Sequence, residues 1–302
     1  MPHPHKLEDC KTIREALVWA SSCLEQAHTK DPRFAAELLL RHCLQMGRTA
    51  FLASLPDPIA PVTLQQLKQL LERRMQHEPI QYVLGEQAFY GRDLYVAPGV
   101  LIPRPETEIL VEQILLHADR LWGKAARLAV ADLGTGSGAI TLTLACERSQ
   151  WQVSTVDISP DALAIARENA RRLGVEDQVR FLQGDLAGPL LERGLRLDIL
   201  VSNPPYIPST DVDQLDREVQ AYEPRLALDG GADGLDFYRR ICEALPSLMK
   251  ETSLVGFEVG IHQAQEVGQL MLASGAVDHI EIIPDLAGIE RVVIGWKEKS
   301  NN

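Results

Sequence analysis

An Asn, two prolines and a Tyr stand directly after an apolar run, Ile199-Leu200-Val201-Ser202-Asn203-Pro204-Pro205-Tyr206. These residue types suit the handling of a planar NH2 group. Asn203 offers a side-chain oxygen, Pro204 a stiffly aimed carbonyl and Tyr206 an aromatic face. Both amine hydrogens are then held while the nitrogen points at an electrophile. Prolines donate no backbone hydrogen bond, so the strand stops here and leaves a rigid loop at its C-terminal edge. In open α/β sheets ligands sit at that edge. Asn and Pro are also ordinary turn residues, and the four residues taken alone fit a plain strand-ending turn equally well.

Upstream lies Gly134-Thr135-Gly136-Ser137-Gly138, between an expected strand (128–133) and an expected helix (139–147). Bare backbone in such a loop lets a ligand approach closely. Gly134, Gly136 and Ala139 fit the G-x-G-x-x-[GA] dinucleotide pattern, and Asp157 stands near the ribose-binding distance, about 20 residues on. Alone this half is ambiguous, because nicotinamide enzymes and S-adenosylmethionine enzymes both hold an adenosine ribose through a carboxylate. Asp157 also fits a helix N-cap, although Ser159 fills that place better. Asp185, one strand later, suits an adenine amino group or a simple turn. Taken together, the Gly loop, two acids and the Asn-Pro-Pro-Tyr loop fall on one edge of one sheet. A nicotinamide enzyme has no use for a two-acceptor amine clamp, whereas a sulfonium methyl donor does.

The elements that position these residues follow from pattern. Residues 1–79 read as a helical unit: Ile13, Leu17, Ala20 and Leu24 have helical spacing, a second helix opens at Asp31-Pro32, and a third begins near Thr63. Residues 80–105 carry short β-prone runs, Tyr82-Val83-Leu84, Ala88-Phe89-Tyr90 and Leu94-Tyr95-Val96, and read as a hairpin linker. From 106 the pattern is a helix and then alternating strands and helices, which predicts an α/β fold with a largely parallel sheet and an antiparallel last pair. The polar stretch 209–234 is too long for a simple connection and reads as a lid or substrate loop.

Composition narrows the classes. At 302 residues the chain suits two domains, and its 45% hydrophobic and 24% charged content is that of an ordinary globular protein. A formal net charge of −12 argues against a generic nucleic-acid binder. Five scattered cysteines without a C-x-x-C pair suggest free thiols in a reducing compartment. The eight histidines show no metal-ligand spacing, with His3 and His5 on an N-terminus expected to be mobile, so no metal is expected. No signal-peptide pattern or membrane-length apolar run is evident, and a cytoplasmic location is expected.

The motifs resemble those of class I methyltransferases acting on conjugated NH2 nitrogens. Along nearly the whole length they resemble the release factor glutamine methyltransferase family (PrmC, also called HemK). The likeness rests on Ile102-Pro103-Arg104-Pro105-Glu106-Thr107-Glu108, Asp132-Leu133-Gly134-Thr135-Gly136-Ser137-Gly138, Asn203-Pro204-Pro205-Tyr206-Ile207 and Tyr222-Glu223-Pro224. It implies a Rossmann-like methyltransferase domain over 106–302 behind the helical, substrate-recognising domain 1–79 and the hairpin linker. It implies S-adenosylmethionine as cofactor, bound by Gly134, Thr135, Gly136, Ser137, Gly138, Asp157, Asp185, Leu186 and Asn203. The glutamine side chain would be held by Asn203, Pro204, Pro205 and Tyr206, with Arg104 beside the substrate, and Asn203, Pro204 and Tyr206 would carry catalysis. Leu186 departs from an aromatic found in parts of the family, so apolar packing is kept and ring stacking lost. The implied partner is a peptide chain release factor, methylated at its Gly-Gly-Gln glutamine by a monomeric enzyme. Rival readings are an adenine-N6 methyltransferase, which would call for a basic groove, a non-catalytic adaptor that keeps the fold, and a nicotinamide dehydrogenase.

Overall fold

The computed structural model describes residues 6–299; His3 and His5 lie outside them. By internal contacts the chain forms two compact units. The first contains the described residues up to Glu86 together with Arg217–Tyr222, and the second contains Gln87–Asp216 and the residues from Glu223 onward.

The first unit is built from α1 (Ile13–Gln26), α2 (Pro32–Leu44), α3 (Arg48–Ala53), α4 (Pro61–Met75) and α5 (Ile80–Leu84). The Thr12 hydroxyl accepts from Glu15 N at the start of α1, and prolines open α2 and α4, where their missing N–H costs nothing. Leu24, Leu39, Leu40, Phe51 and Leu67 are fully buried in one core. The run Tyr82-Val83-Leu84 is helical and not extended, which corrects the strand expected there. Pro79 leads into a single helical turn that Gly85 ends at φ 76°. Arg73 binds the carbonyls of Tyr82 and Val83 from α4, so packing overrides the β-prone composition.

From Gln87 the second unit opens on a hairpin of β1 (Glu86–Phe89), whose first residue belongs to the first unit, and β2 (Arg92–Tyr95). Tyr90 and Gly91 join them at φ 49° and 73°, the positive values that a two-residue hairpin turn requires. Next come α6 (Pro105–Trp122), β3 (Ala129–Leu133), α7 (Ala139–Glu147), β4 (Gln152–Asp157), α8 (Pro160–Leu173), β5 (Val179–Gln183), α9 (Gly188–Glu192) and β6 (Leu197–Ser202). After them the chain forms α10 (Ser209–Val212), α11 (Arg217–Tyr222), α12 (Asp236–Leu248), β7 (Met249–Glu258), α13 (Ala264–Ala273), β8 (His279–Pro284) and β9 (Glu290–Lys297). The stretch expected to be a lid loop therefore holds two short helices and a 3-10 turn, Arg225–Ala227. Helix α11 packs with the first unit, where the buried Arg74 pairs with Glu218 at 2.6 Å and the Tyr222 hydroxyl donates to Gln76 O at 2.8 Å.

The seven strands β3 to β9 form one sheet in the order β5-β4-β3-β6-β7-β9-β8. The first five in that order run parallel, and β9 is antiparallel to both β7 and β8. Successive residues of β6 face opposite cores, Ile199 and Val201 toward α6 and α7 and Leu200 toward α12 and α13, and Leu197 joins the latter across a register shift before Ile199. The chain steps outward from β3 to β5 and then returns to the other side of β3 as β6. That reversal opens a crevice at the carboxyl ends of β3 and β6. Leu133 and Ser202 are register partners, and the Ser202 hydroxyl donates to Leu133 O at 2.6 Å. The Gly loop and the Asn-Pro-Pro-Tyr loop thus leave the sheet side by side. Among the described residues no helix is long and apolar enough to cross a membrane.

Candidate active site

One cavity in the second unit gathers most of the residues singled out from sequence. Arg104, Gly134, Thr135, Gly136, Ser137, Asp157, Asp185, Leu186, Asn203, Pro204 and Pro205 all line it. Its empty space, including the part continuous with solvent, is about 1090 Å³, ample for a nucleoside-sized ligand.

The Gly loop forms the wall after β3. Gly134, Gly136 and Gly138 sit at φ 86°, 53° and 86°, conformations strained for any residue with a Cβ. Their surroundings differ. A Cβ on Gly136 would meet nothing within 4 Å, whereas one on Gly138 would lie 2.8 Å from Leu142 Cδ1 and 3.2 Å from Ala166 Cβ. Gly138 therefore lets α7 pack closely and does not line the cavity. Asp157, at the end of β4, accepts from Gly136 N and Ser159 N, each at 2.9 Å. Burial pushes its carboxyl up from the usual range, and these backbone donors, with Ile158 N, oppose the rise. The Ser159 hydroxyl accepts from Ala162 N and caps α8. Behind the loop, buried Asp132 accepts from Thr141 Oγ1 at 2.5 Å, and its Oδ1 has no partner. Desolvation pushes this carboxyl up to about 7.

Asp185 is paired with Arg240 of α12, and both side chains are half exposed. Leu186 holds a left-handed backbone at φ 46° and lines the cavity. An aromatic ring from α12, Phe237, lines it too, with the Arg240 guanidinium 5.9 Å from the ring centroid.

At the opposite end Asn203 reaches Thr107 of α6, its Nδ2 donating to Oγ1 at 3.2 Å. Thr107 in turn donates to Glu258 Oε2 at 2.5 Å. Glu258 ends β7, is buried, and is pushed up to about 7, chiefly by desolvation. Tyr206 is not part of the cavity lining. It packs against the core beneath, its carbonyl accepts from Gln263 Nε2 at 2.9 Å, and burial raises its phenol to about 12. Arg104 lines the cavity with its guanidinium held by Glu223 Oε1 at 2.6 Å, and the other oxygen of Glu223 accepts from Ile102 N at 3.3 Å. Pro224, Leu226 and Ala227, which follow Glu223, complete the rim.

Glu258 and Phe237 were not singled out from sequence, and Thr107 stood there only within the segment 102–108, with no role of its own. Glu258 leaves a trace as an acid closing the apolar run Leu254-Val255-Gly256-Phe257.

Chemically the cavity joins a glycine-lined, carboxylate-bearing end to an end with a proline-stiffened acceptor loop. Residues 15–85 match the family described as the PrmC N-terminal domain, and residues 106–221 match the methyltransferase small domain. The chain is 42% identical over 286 residues to the release factor glutamine methyltransferase of Bacillus cereus, covering 95% of this chain and 99% of that protein. It is 44% identical over 290 residues to the Bacillus subtilis protein of the same name, covering 96% and 99%. Among solved structures, a methyltransferase from Pyrococcus furiosus covers 78% of this chain and 98% of its own at 16% identity, with a TM-score of 0.50, and shares the fold.

Proposed function

The chain belongs to the release factor glutamine methyltransferase family, and from that premise we propose that it methylates the side-chain amide nitrogen, N5, of the glutamine in the Gly-Gly-Gln motif of a peptide chain release factor, with S-adenosylmethionine as donor. The observation that carries this reading is the shared cavity, in which Asn203 and Pro204 face the same space as Gly136 and Asp157.

The residues present fit the cofactor. Gly136 leaves open the space a side chain would fill, and Asp157 offers a carboxylate for a ribose. Leu101, Ile158 and Leu186 give apolar wall. Gly134, Thr135, Gly136, Ser137, Asp157 and Leu186 would hold the cofactor, with Asp185 and Phe237 at the adenine end. When bound it supplies a methyl group on positively charged sulfur.

An amide nitrogen is a poor nucleophile because its lone pair is delocalised into the carbonyl. Asn203 Oδ1 and the Pro204 carbonyl accept its two hydrogens, draw them from the amide plane and localise density on the nitrogen. Pro205 keeps the loop stiff, Tyr206 buttresses it from below, and Arg104, braced by Glu223, stands at the rim beside the incoming peptide. No base is needed before transfer, since the nitrogen sheds its proton only after it has gained the methyl carbon. Alignment of this kind contributes roughly 7–11 kcal/mol in favourable cases.

The test is mass spectrometry of a purified release factor before and after incubation with the protein and S-adenosylmethionine. One added methyl on the Gly-Gly-Gln glutamine is expected; no methyl, or a methyl on another residue, would rule the assignment out.

A further inference from the structure

Glu258 does not line the cavity, yet it is only 2% exposed and is joined to the loop that carries Asn203. The joint is Thr107, 2.5 Å from Glu258 Oε2 and 3.2 Å from Asn203 Nδ2 through one hydroxyl oxygen. Counting protons gives the chain a direction. A carboxylate only accepts, so Thr107 commits its single hydroxyl proton to Glu258. Its oxygen then has only lone pairs to offer Asn203. Asn203 must turn its NH2 toward Thr107, which sends Oδ1 the other way. Without such a partner the two ends of an amide are interchangeable in shape.

Resting on the function proposed above, in which Oδ1 accepts from the substrate amide, we propose that Glu258 and Thr107 are positioning residues: the ionised carboxylate, acting through the Thr107 hydroxyl, holds Asn203 with its oxygen toward the substrate. Protonation of Glu258 reverses the chain. The acid then donates to Thr107, whose own proton is freed for Asn203 Oδ1, and the amide presents NH2 to an NH2.

The charge on Glu258 is finely balanced. Burial and Glu106 of α6 raise its pKa, Thr107, Arg291 of β9 and Asn203 lower it, and the result is about 7. Tyr206 on the Asn203 loop and Tyr238 of α12 also face the carboxylate, and the Tyr238 hydroxyl donates to the backbone oxygen of Glu258 at 2.8 Å. Turnover should therefore fall on the acid side of that value.

Two measurements test the relay, the first without turnover. In the NMR spectrum of the 15N-labelled protein, the Asn203 side-chain amide, identified by its loss in Asn203→Asp, shifts with pH around 7, and the shift disappears in Glu258→Gln. A pH-invariant amide in the unsubstituted protein overturns the proposal whatever the activity. In turnover, Thr107→Val and Glu258→Met, which leave the chain without a hydroxyl or without an acceptor, each lower kcat about 100-fold, the scale of a misaligned reacting group. The double variant is no worse than either single one, because both break the same relay. Thr107→Ser keeps the hydroxyl and restores kcat to within about threefold. Additive losses, or Thr107→Val with an unaltered rate and pH profile, overturn the proposal. A release factor left unmethylated by the unsubstituted enzyme would instead sink the functional reading, with the NMR titration still deciding the relay.

Discussion

Each end of the cavity is backed by a buried carboxylate held by a threonine. Behind the Gly loop Asp132 of β3 accepts from Thr141, and behind the acceptor loop Glu258 of β7 accepts from Thr107, each at 2.5 Å. Burial pushes both carboxyls up to about 7. What lies beyond each pair differs. Asp132 keeps an oxygen with no partner, beside backbone that is held open by glycine. Thr107 hands its contact on to Asn203. The same costly device, a carboxylate taken out of water, leaves an unpartnered oxygen at one end and, in the relay proposed above, a fixed amide direction at the other. On that reading binding and chemistry are divided between neighbouring strand ends along one edge of the sheet.

The largest expected effect separates the two ends. Asn203→Ala removes the oriented acceptor and should lower turnover by about 1000-fold or more, while calorimetry should find cofactor binding weakened but measurable. Affinity falling as far as turnover would mean that the ends are not distinct. The converse substitution, Asp157→Ala, should weaken binding of S-adenosylhomocysteine by about 100-fold, given about 1.5–3 kcal/mol per hydrogen bond to a charged group. Its kcat at saturation should change far less; unaltered affinity would move the ribose site elsewhere.

A third measurement sharpens the likeness of the two carboxylates through stability. The folded-state pKa of Asp132 lies above its unfolded value, so its favourable contribution is complete below about 4 and is lost as pH rises to about 7. Asp132→Asn lacks that dependence. Urea unfolding at low and high pH should show the unsubstituted protein losing a few kcal/mol relative to the variant as pH rises. Glu258→Gln should show the same sign, and a flat difference for either would break the comparison. The smallest effect concerns the adenine end. Arg240→Ala removes a half-exposed ion pair worth about 0–1 kcal/mol and should shift cofactor affinity by less than about fivefold. A larger loss would give Arg240 a place in binding.

Much of the second unit was legible because strand-ending residues carry local backbone physics. The glycines of the loop, Asp157 and the Asn-Pro-Pro-Tyr segment could each be placed at the carboxyl end of a strand from pattern alone. The hairpin was legible in the β-prone runs Ala88-Phe89-Tyr90 and Leu94-Tyr95-Val96, yet Tyr82-Val83-Leu84 was misread, because Arg73 and the first core decide its conformation. The expected lid resolved into helices, one of which belongs to the first unit. Arg104 was expected to serve the substrate, and its brace, Glu223, lies far along the chain.

Residue order alone settled the alternation of strands and helices, the backbone-open turn and the stiff acceptor loop, since each depends on what one residue type lets its own backbone do. Folding decided which of these meet. The return of β6 beside β3, with β7 next to it, brings Asn203 onto Thr107 and Thr107 onto Glu258. No local rule places an acid of β7 behind a threonine of α6, so that contact exists only once the sheet has closed around it.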